Sequence, residues 1–275
     1  MAVTFQKMHG LGNDFIVLDL RHQEFDINRE RAIRLSDRHT GIGCDQILVL
    51  STPSDENALA TFDIWNADGS KAEQCGNGVR CLGLYLHNRS ETPSGQFMLS
   101  GPAGMVKIEC LADNQVQVDM GRPFFEAHRV PVLLEPLDGW YRLVIDQQAF
   151  RLGAASMGNP HALMVVKNVE TVDVAQLGAA IGSHAAFPQG CNVGFAQVLD
   201  RGNIRLRVFE RGAAETRACG SGACAAMSIL YRAGLVDGTI NVTQTGGNLN
   251  ISWTGGEKHV IMEGSATQVF EGKLA

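Results

Sequence analysis

A chain of 275 residues exceeds the roughly 100 to 200 usual for one domain, so two domains, each large enough to bury its own core, are expected. With 45% hydrophobic and 19% charged residues, the composition is that of a folded protein and excludes a disordered or fibrous one. The 23 Lys and Arg against 29 Asp and Glu leave a net charge of −6, and no basic run is interleaved with aromatics, so neither nucleic acid nor an anionic membrane surface is expected as a partner.

In chain order, Met1 to Gly10 lacks a basic region followed by a long apolar core, so no signal peptide is expected. No apolar run approaches the ~20 residues that span a bilayer, and a cytoplasmic location follows as the expectation. A helix is predicted over Asn28 to Arg38, then strands over Gln46 to Leu50 and Thr61 to Trp65, and a helix over Gly78 to His87. Strands are predicted over Met105 to Leu111 and Gln115 to Met120. The Pro- and acid-rich segment Gly121 to Asp138 reads as the crossing between halves. Beyond it come strands over Ala162 to Val166, Val193 to Leu199, Ile204 to Phe209, Thr239 to Thr245 and Leu249 to Trp253. Helices are predicted over Val174 to Ile181 and Ala223 to Ala233, the last closed by Gly234 as a left-handed C′ residue. The apolar runs Val79 to Leu86 and Ala225 to Leu230 predict helices buried by sheet on most sides.

Glycine, at 31 residues or about 11% against a usual ~7%, is concentrated in short polar motifs that pair along the chain. Gly12-Asn13 recurs as Gly158-Asn159 at an offset of 146, Gly43-Cys44 as Gly190-Cys191 at 147, Asn66 as Glu210 at 144, and Cys75-Gly76 as Cys219-Gly220 at 144. The near-constant offset predicts two copies of one unit, with a first half at 1–120 and a second at 121–263.

Seven cysteines in a chain this long argue against a disulfide framework and for reactive or buried thiols. A Cys-Gly-x-Gly turn at a helix start aims consecutive N–H groups at one point and adds the positive end of the helix dipole, which together make an anion site. A thiol there is expected to have its pKa drawn down from about 8.5. Two such units facing each other would place Cys75 and Cys219 on opposite sides of one bound anion, as a cofactor-free racemase requires: one thiolate takes the Cα proton and the other thiol returns one. Other readings of these residues are weaker. A Cys75–Cys219 disulfide does not suit a cytoplasmic chain, and Cys81 and Cys224 are too far along their helices for close metal-ligand spacing, so both read as packed hydrophobes. Gly220-x-Gly222-x-x-Ala225 matches a relaxed dinucleotide fingerprint but lacks a clear ribose-binding acid. Pyridoxal phosphate would need a Schiff-base lysine, and only Lys71 lies near a motif. No cofactor and no metal are expected.

At these residues the sequence resembles the diaminopimelate epimerase family over essentially its whole length. The resemblance is carried by Met8-His9-Gly10-Leu11-Gly12-Asn13-Asp14-Phe15, Asn66-Ala67-Asp68-Gly69-Ser70, Cys75-Gly76-Asn77-Gly78-Val79-Arg80-Cys81, Ser156-Met157-Gly158-Asn159-Pro160-His161, Glu210-Arg211-Gly212, and Ala218-Cys219-Gly220-Ser221-Gly222-Ala223-Cys224. It implies an α/β fold of two pseudosymmetric domains, each a curved mixed β-sheet wrapped around a central helix, with the tail 264–275 returning to the first. It implies a cofactor-independent isomerase that interconverts LL- and meso-diaminopimelate in lysine and peptidoglycan precursor synthesis, and a homodimer.

Carried over by position, the resemblance makes Cys75 and Cys219 the acid/base pair and gives the backbone of Gly76, Asn77, Gly220 and Ser221 the reacting carboxylate. Asn13 and Gln46 would orient the substrate; Asn66, Asn159, Asn192 and Arg211 would hold the distal carboxylate, Glu210 the distal ammonium, and His161 and Glu210 would tune the thiols. Arg211 as a guanidinium fork beside fixed amides suits a second carboxylate. Each Asn taken alone also reads as a turn residue, and His161 as a strand cap after Pro160. Cys44 and Cys191, at matched places in the Gly-Cys motifs, have no assigned role. Phe270 stands where the family commonly has a Tyr at the dimer contact, keeping an apolar contact without the hydroxyl. The competing readings are a two-cysteine racemase acting on proline or hydroxyproline, and a non-catalytic thiol- or metal-binding protein.

Overall fold

The computed structural model describes residues 2–92 and 94–274. Its elements run β1 (Val3–Gly10), β2 (Asn13–Asp19), α1 (Arg29–Ser36), β3 (Gln46–Ser51), β4 (Ala60–Asn66), β5 (Lys71–Ala72), α2 (Gly76–Asn88), β6 (Gln96–Gly101), β7 (Gly104–Cys110) and β8 (Gln115–Asp119). There follow β9 (Tyr141–Ile145), β10 (Gln148–Ser156), β11 (Pro160–Val165), α3 (Val174–Gly182), β12 (Asn192–Asp200), β13 (Asn203–Glu210), β14 (Ala214–Thr216), α4 (Gly220–Arg232), β15 (Thr239–Gln244) and β16 (Gly247–Ser252). The strands β17 (Ile261–Ser265) and β18 (Thr267–Leu274) close the chain. Two compact units result, Met1–Asp119 with Glu263–Ala275, and Met120–Met262.

Both units run through the same order of strand pairings. In the first, β1 pairs antiparallel with β2, β2 parallel with β3, β3 antiparallel with β4, β4 parallel with β6, and β6 antiparallel with β7. In the second, β10, β11, β12, β13, β15 and β16 repeat that order and those directions. The short strands β5 and β14 likewise lie antiparallel on β4 and β13. An outer antiparallel partner completes each sheet, β18 on β1 and β9 on β10.

Each mixed sheet wraps one helix. α2 packs against β1, β2, β7, β8 and β18, and α4 against β10, β11, β12 and β16. Every residue from Gly76 to Leu86 is buried, as is every residue from Ala223 to Leu230. These helices have no solvent face, which is why their sequences are apolar all round; burying Leu82 or Leu86 fully contributes about 1.5–3 kcal/mol apiece. The charged exception is Arg80, completely buried in α2, whose Nε donates to the Ser265 carbonyl at 3.4 Å on the returning C-terminal segment.

Helix ends follow local chemistry. Asn28 caps α1 by accepting the Arg31 N–H at 3.0 Å, and Asp173 caps α3 by accepting that of Gln176 at 3.0 Å. α1 stops at Ser36, two residues before the predicted end, because Asp37 turns extended and its carboxylate accepts the N–H groups of His39 and Thr40. Gly234, at φ +71°, takes the left-handed C′ position after α4, and Leu235 N–H closes onto the Leu230 carbonyl at 3.0 Å.

The sequence pattern misses β1, β2, β6, β9, β10, β17 and β18, and the short strands β5 and β14. β1 is disguised by Lys7, a cation on the buried face of the strand that is matched by Asp14 on β2. β2 carries an unbroken apolar run, Phe15 to Leu18, because a strand between β1 and β3 has both faces covered. β9 and β10 form a hairpin whose central residues Asp146 and Gln147 both have positive φ, a turn without the usual Asn-Gly signature. Among the described residues no helix is long and apolar enough to cross a membrane.

Candidate active site

Both helices begin inside the Cys-Gly-x-Gly motifs, two residues before the predicted start for α2 and three for α4. Cys75 is itself the N-cap of α2 and Cys219 the N-cap of α4, so Gly76 and Gly220 are already helical. The N–H groups that follow each cysteine therefore belong to a helix's first turn, where they lack intrahelical acceptors and favour an anion.

In the first unit, the Cys75 sulfur accepts the Gly78 N–H at 3.4 Å and donates to Asn13 Oδ1 at 3.8 Å. Asn77, buried in the same turn, donates from Nδ2 to Asn13 Oδ1 at 3.1 Å. Asn13 is held from the other side, its Nδ2 donating to Asp45 Oδ2 at 2.9 Å. Asp45 and Asp14 brace each other, each accepting the other's backbone N–H at 3.1 Å. Two adjacent carboxylates are tolerated because Lys7 lies 2.5 Å from Asp14 and Arg38 bridges both, at 2.7 and 2.8 Å. Burial alone would raise the Asp14 pKa, but hydrogen bonds from Arg38 and Lys7 outweigh it and hold the carboxyl far below the usual carboxylate range. Gln46 and Asn66 stand directly opposite each other on β3 and β4, joined by a 2.8 Å bond from Gln46 Nε2 to Asn66 Oδ1. Asn66 Nδ2 in turn donates to Ser70 Oγ at 2.9 Å.

The second unit repeats this layout with different chemistry. The strand registers set Asn159 where the first unit has Asn13, His161 where it has Phe15, Asn192 where it has Gln46, and Glu210 where it has Asn66. Cys219 directs its sulfur to Glu210 Oε2 at 3.2 Å, with Ser221 Oγ at 3.7 Å. Thr216 Oγ1 donates to the other Glu210 oxygen. A Cβ added at Gly222 would stand 3.1 Å from the Cys219 sulfur, a tight contact that would push the sulfur back by a few tenths of an ångström.

The expected lowering of a helix-start thiol pKa does not hold for Cys219. Burial pushes it well above its usual value, and the Glu210 carboxylate adds to the rise, so Cys219 rests as a thiol donating to Glu210. His161 is buried and forms a 2.9 Å hydrogen bond between Nε2 and Asn159 Oδ1. Burial first, and the Arg211 charge second, bring its pKa down to about 3, so the ring is neutral at ordinary pH.

Asn192 is buried with both ends of its amide engaged by backbone: Oδ1 accepts the Arg211 N–H at 2.9 Å and Nδ2 donates to the Pro160 carbonyl at 3.3 Å. It fixes the base of Arg211, whose exposed guanidinium donates to the Gln189 carbonyl at 2.7 Å. Phe270 lies on β18, half exposed, edge-on to Phe5 with ring centroids 6.1 Å apart.

One expected match is corrected. Cys44 lies two residues before Gln46, but Cys191 lies one before Asn192, so the register aligns Cys191 with Asp45. Both Gly43 and Gly190 make left-handed turns, one position out of step, which is what made the motifs look aligned. Burial raises both thiols, Cys44 to about 11 and Cys191 to about 12, and Cys81 in α2 rises further.

Sequence reasoning also missed Asp45, Thr216 and Gln244 as neighbours of the candidate residues. Gln244 carried a readable signal: it falls on the buried face of β15, in step with Ile240 and Val242, where an apolar residue is the rule.

A family model described as diaminopimelate epimerase matches residues 5–126 and 153–269. The diaminopimelate epimerase of Thioalkalivibrio sulfidiphilus is 45% identical over 276 residues, covering 100% of this chain and 99% of its own sequence. That of Xanthomonas axonopodis pv. citri is 46% identical over 272 residues, covering 98% and 96%. Among solved structures, a hydroxyproline epimerase from Agrobacterium vitis aligns with a TM-score of 0.72 at 17% identity, over 99% of this chain and 92% of that one. A phenazine biosynthesis protein of the PhzF family from Bacillus anthracis aligns at 0.70 and 14% identity, over 100% and 99%. These two likenesses establish the fold alone, whereas the full-length sequence matches carry the assignment further: this chain belongs to the diaminopimelate epimerase family.

Proposed function

We propose that the protein interconverts LL- and meso-diaminopimelate without a cofactor, with Cys75 and Cys219 as the acid/base pair. The observation that carries this reading is the placement of both cysteines as N-caps of equivalent buried helices, one in each unit, with the Cys219 sulfur held 3.2 Å from the Glu210 carboxylate. Burial and the Glu210 carboxylate keep Cys219 a thiol, so Cys219 is assigned as the starting acid and its counterpart Cys75 as the starting base. The Cys75 thiolate takes the Cα proton, the electron pair remains on a carbanion next to the carboxylate, and Cys219 delivers its proton to the opposite face. The thiol and thiolate are then exchanged, ready for the reverse reaction.

The helix N–H groups at Gly76, Asn77, Gly220 and Ser221 would stabilise the charge that develops on the reacting carboxylate. Asn13 and Gln46 orient the substrate, Asn66, Asn159 and Arg211 hold the distal carboxylate, and Glu210 serves the distal ammonium as well as Cys219. Asn192, with its amide engaged by backbone, acts by aiming Arg211. Neutral His161 tunes the thiol chemistry through its surroundings. A cytoplasmic homodimer with Phe270 in the contact completes the reading.

Reduced protein in deuterium oxide, with no added cofactor, is expected to exchange deuterium into Cα of diaminopimelate and to leave proline and hydroxyproline untouched. Exchange of proline without diaminopimelate would overturn the substrate assignment. Cys75→Ala and Cys219→Ala are each expected to fold and to lose epimerisation by at least about 10³-fold, and wild-type turnover in either would dismiss the two-base scheme.

A further inference from the structure

Gln244 closes β15 as its last residue, its side chain on the buried face, with only 6% of the residue exposed. Its amide brackets the peptide of Cys219: Oε1 accepts the Cys219 N–H at 2.8 Å and Nε2 donates to the Cys219 carbonyl at 3.4 Å. The same turn grips the chain two residues earlier, where Gly246 N–H donates to the Arg217 carbonyl at 2.7 Å. The approach to α4 is thus tied to the β15–β16 turn at two points, by one backbone bond and by a side-chain amide that does the work of one residue of strand pairing. That carbonyl of Cys219 also accepts the first helical bond, from Ala223 N–H at 3.0 Å, so the amide reaches the junction where extended chain becomes helix.

We infer that Gln244 is a positioning residue for Cys219: it acts through the Cys219 peptide to fix the direction in which the sulfur leaves the backbone. The Cys219 sulfur must satisfy two demands at once, reaching Glu210 at 3.2 Å and fitting beside Gly222, 3.1 Å from where a Cβ there would lie. Its side chain has a single torsion for doing so, so the orientation of the backbone decides whether both are met. Gln244 also occupies the Cys219 N–H, so the anion-binding groups of this half begin at Gly220. Losing the amide would leave a buried N–H without its acceptor and free the peptide to rotate, and misplacement on the order of 1 Å can lower a rate about 100-fold.

This inference rests on the acid/base role proposed for Cys219, and its test includes an arm that needs no substrate. Gln244→Met keeps length and volume and removes both polar ends; Gln244→Glu keeps the acceptor for the N–H and removes the donor. With the variants folded, kcat for diaminopimelate is expected to fall about tenfold or more in Gln244→Met, with KM changed less than about threefold, and to recover in part in Gln244→Glu. In ligand-free protein, the rate at which iodoacetamide alkylates Cys219, followed by mass spectrometry as a function of pH, is expected to change its midpoint in Gln244→Met. A merely structural glutamine would lower the yield of folded enzyme and leave kcat per folded molecule and the alkylation profile unchanged; that result overturns the inference. If Gln244→Met does not fold, Gln244→Glu carries the same two readouts, and wild-type values in both overturn it. If wild-type protein turns over no diaminopimelate, the function proposed above fails, while the alkylation profile still decides whether Gln244 positions the thiol.

Discussion

Burial sets the charge of His161 more than any neighbour does. The ring lies inside the second unit with one hydrogen bond to Asn159, and its pKa falls from the ordinary 6.5 to about 3. Above pH 6.5 the folded and unfolded chains both carry it neutral, and its contribution is fully present. As pH falls from 6.5 toward 3, the unfolded chain gains a proton that the folded chain refuses, so stability is lost across that window at up to about 1.4 kcal/mol per pH unit. Urea unfolding at pH 7 and pH 5 is expected to show this loss in the wild type, and a smaller one in His161→Gln, whose amide keeps a bond to Asn159 without titrating. Equal loss in both proteins would mean that other groups control the acid limb. Glu210 and Asn66 illustrate how equivalent positions diverged: both end the strand opposite a site amide or its counterpart, yet one presents a carboxylate to a thiol and the other an amide to Gln46.

The helices show most clearly how far sequence patterns reach. Runs of apolar residues without a polar face made α2 and α4 legible as buried, and Gly234 made the end of α4 legible as a left-handed cap. Replacing Gly234 by Ala forces a Cβ into that conformation and is expected to destabilise the protein by about 1 kcal/mol, read as a lower urea midpoint with unchanged kcat. The helix starts were less legible, because a Cys-Gly-x-Gly run reads locally as a turn until a sheet surrounds it; only tertiary burial makes Gly76 and Gly220 the first helical residues. β1 escaped detection for a related reason. Lys7 reads as a surface charge until Asp14 is brought to it from β2. Pairings between distant residues leave little local trace, so the candidate residues were legible from the motifs, while of the neighbours that hold them only Gln244 carried a signal.

For the whole molecule, repetition of one pairing order in two units means that each half has its own core and its own helix start. The first unit, however, is not continuous in sequence, since β18 from the far end of the chain lies along β1 over seven paired positions, Val3↔Leu274 to His9↔Thr267. Removing β18 would leave β1 as an open edge and uncover Phe5, on which Phe270 rests. A chain ending at residue 266 is expected to aggregate on heating and to lose at least several degrees of Tm by circular dichroism; an unchanged Tm would show that the first unit is stable without its last strand.

The two hairpins that carry the facing site residues differ in length at only one end. Gln46 and Asn66 are 20 positions apart and Asn192 and Glu210 are 18, yet Gln46 is paired with Asn66, and Asn192 and Glu210 flank the paired Val193 and Phe209. The two additional residues lie in the exposed turn between β3 and β4, at the far end from those side chains. Within one molecule the fold thus holds two lengths of the same limb without altering the functional end. Residues 52–57 are accordingly where a label, a tag or a cleavage sequence can enter the chain while Gln46 stays opposite Asn66.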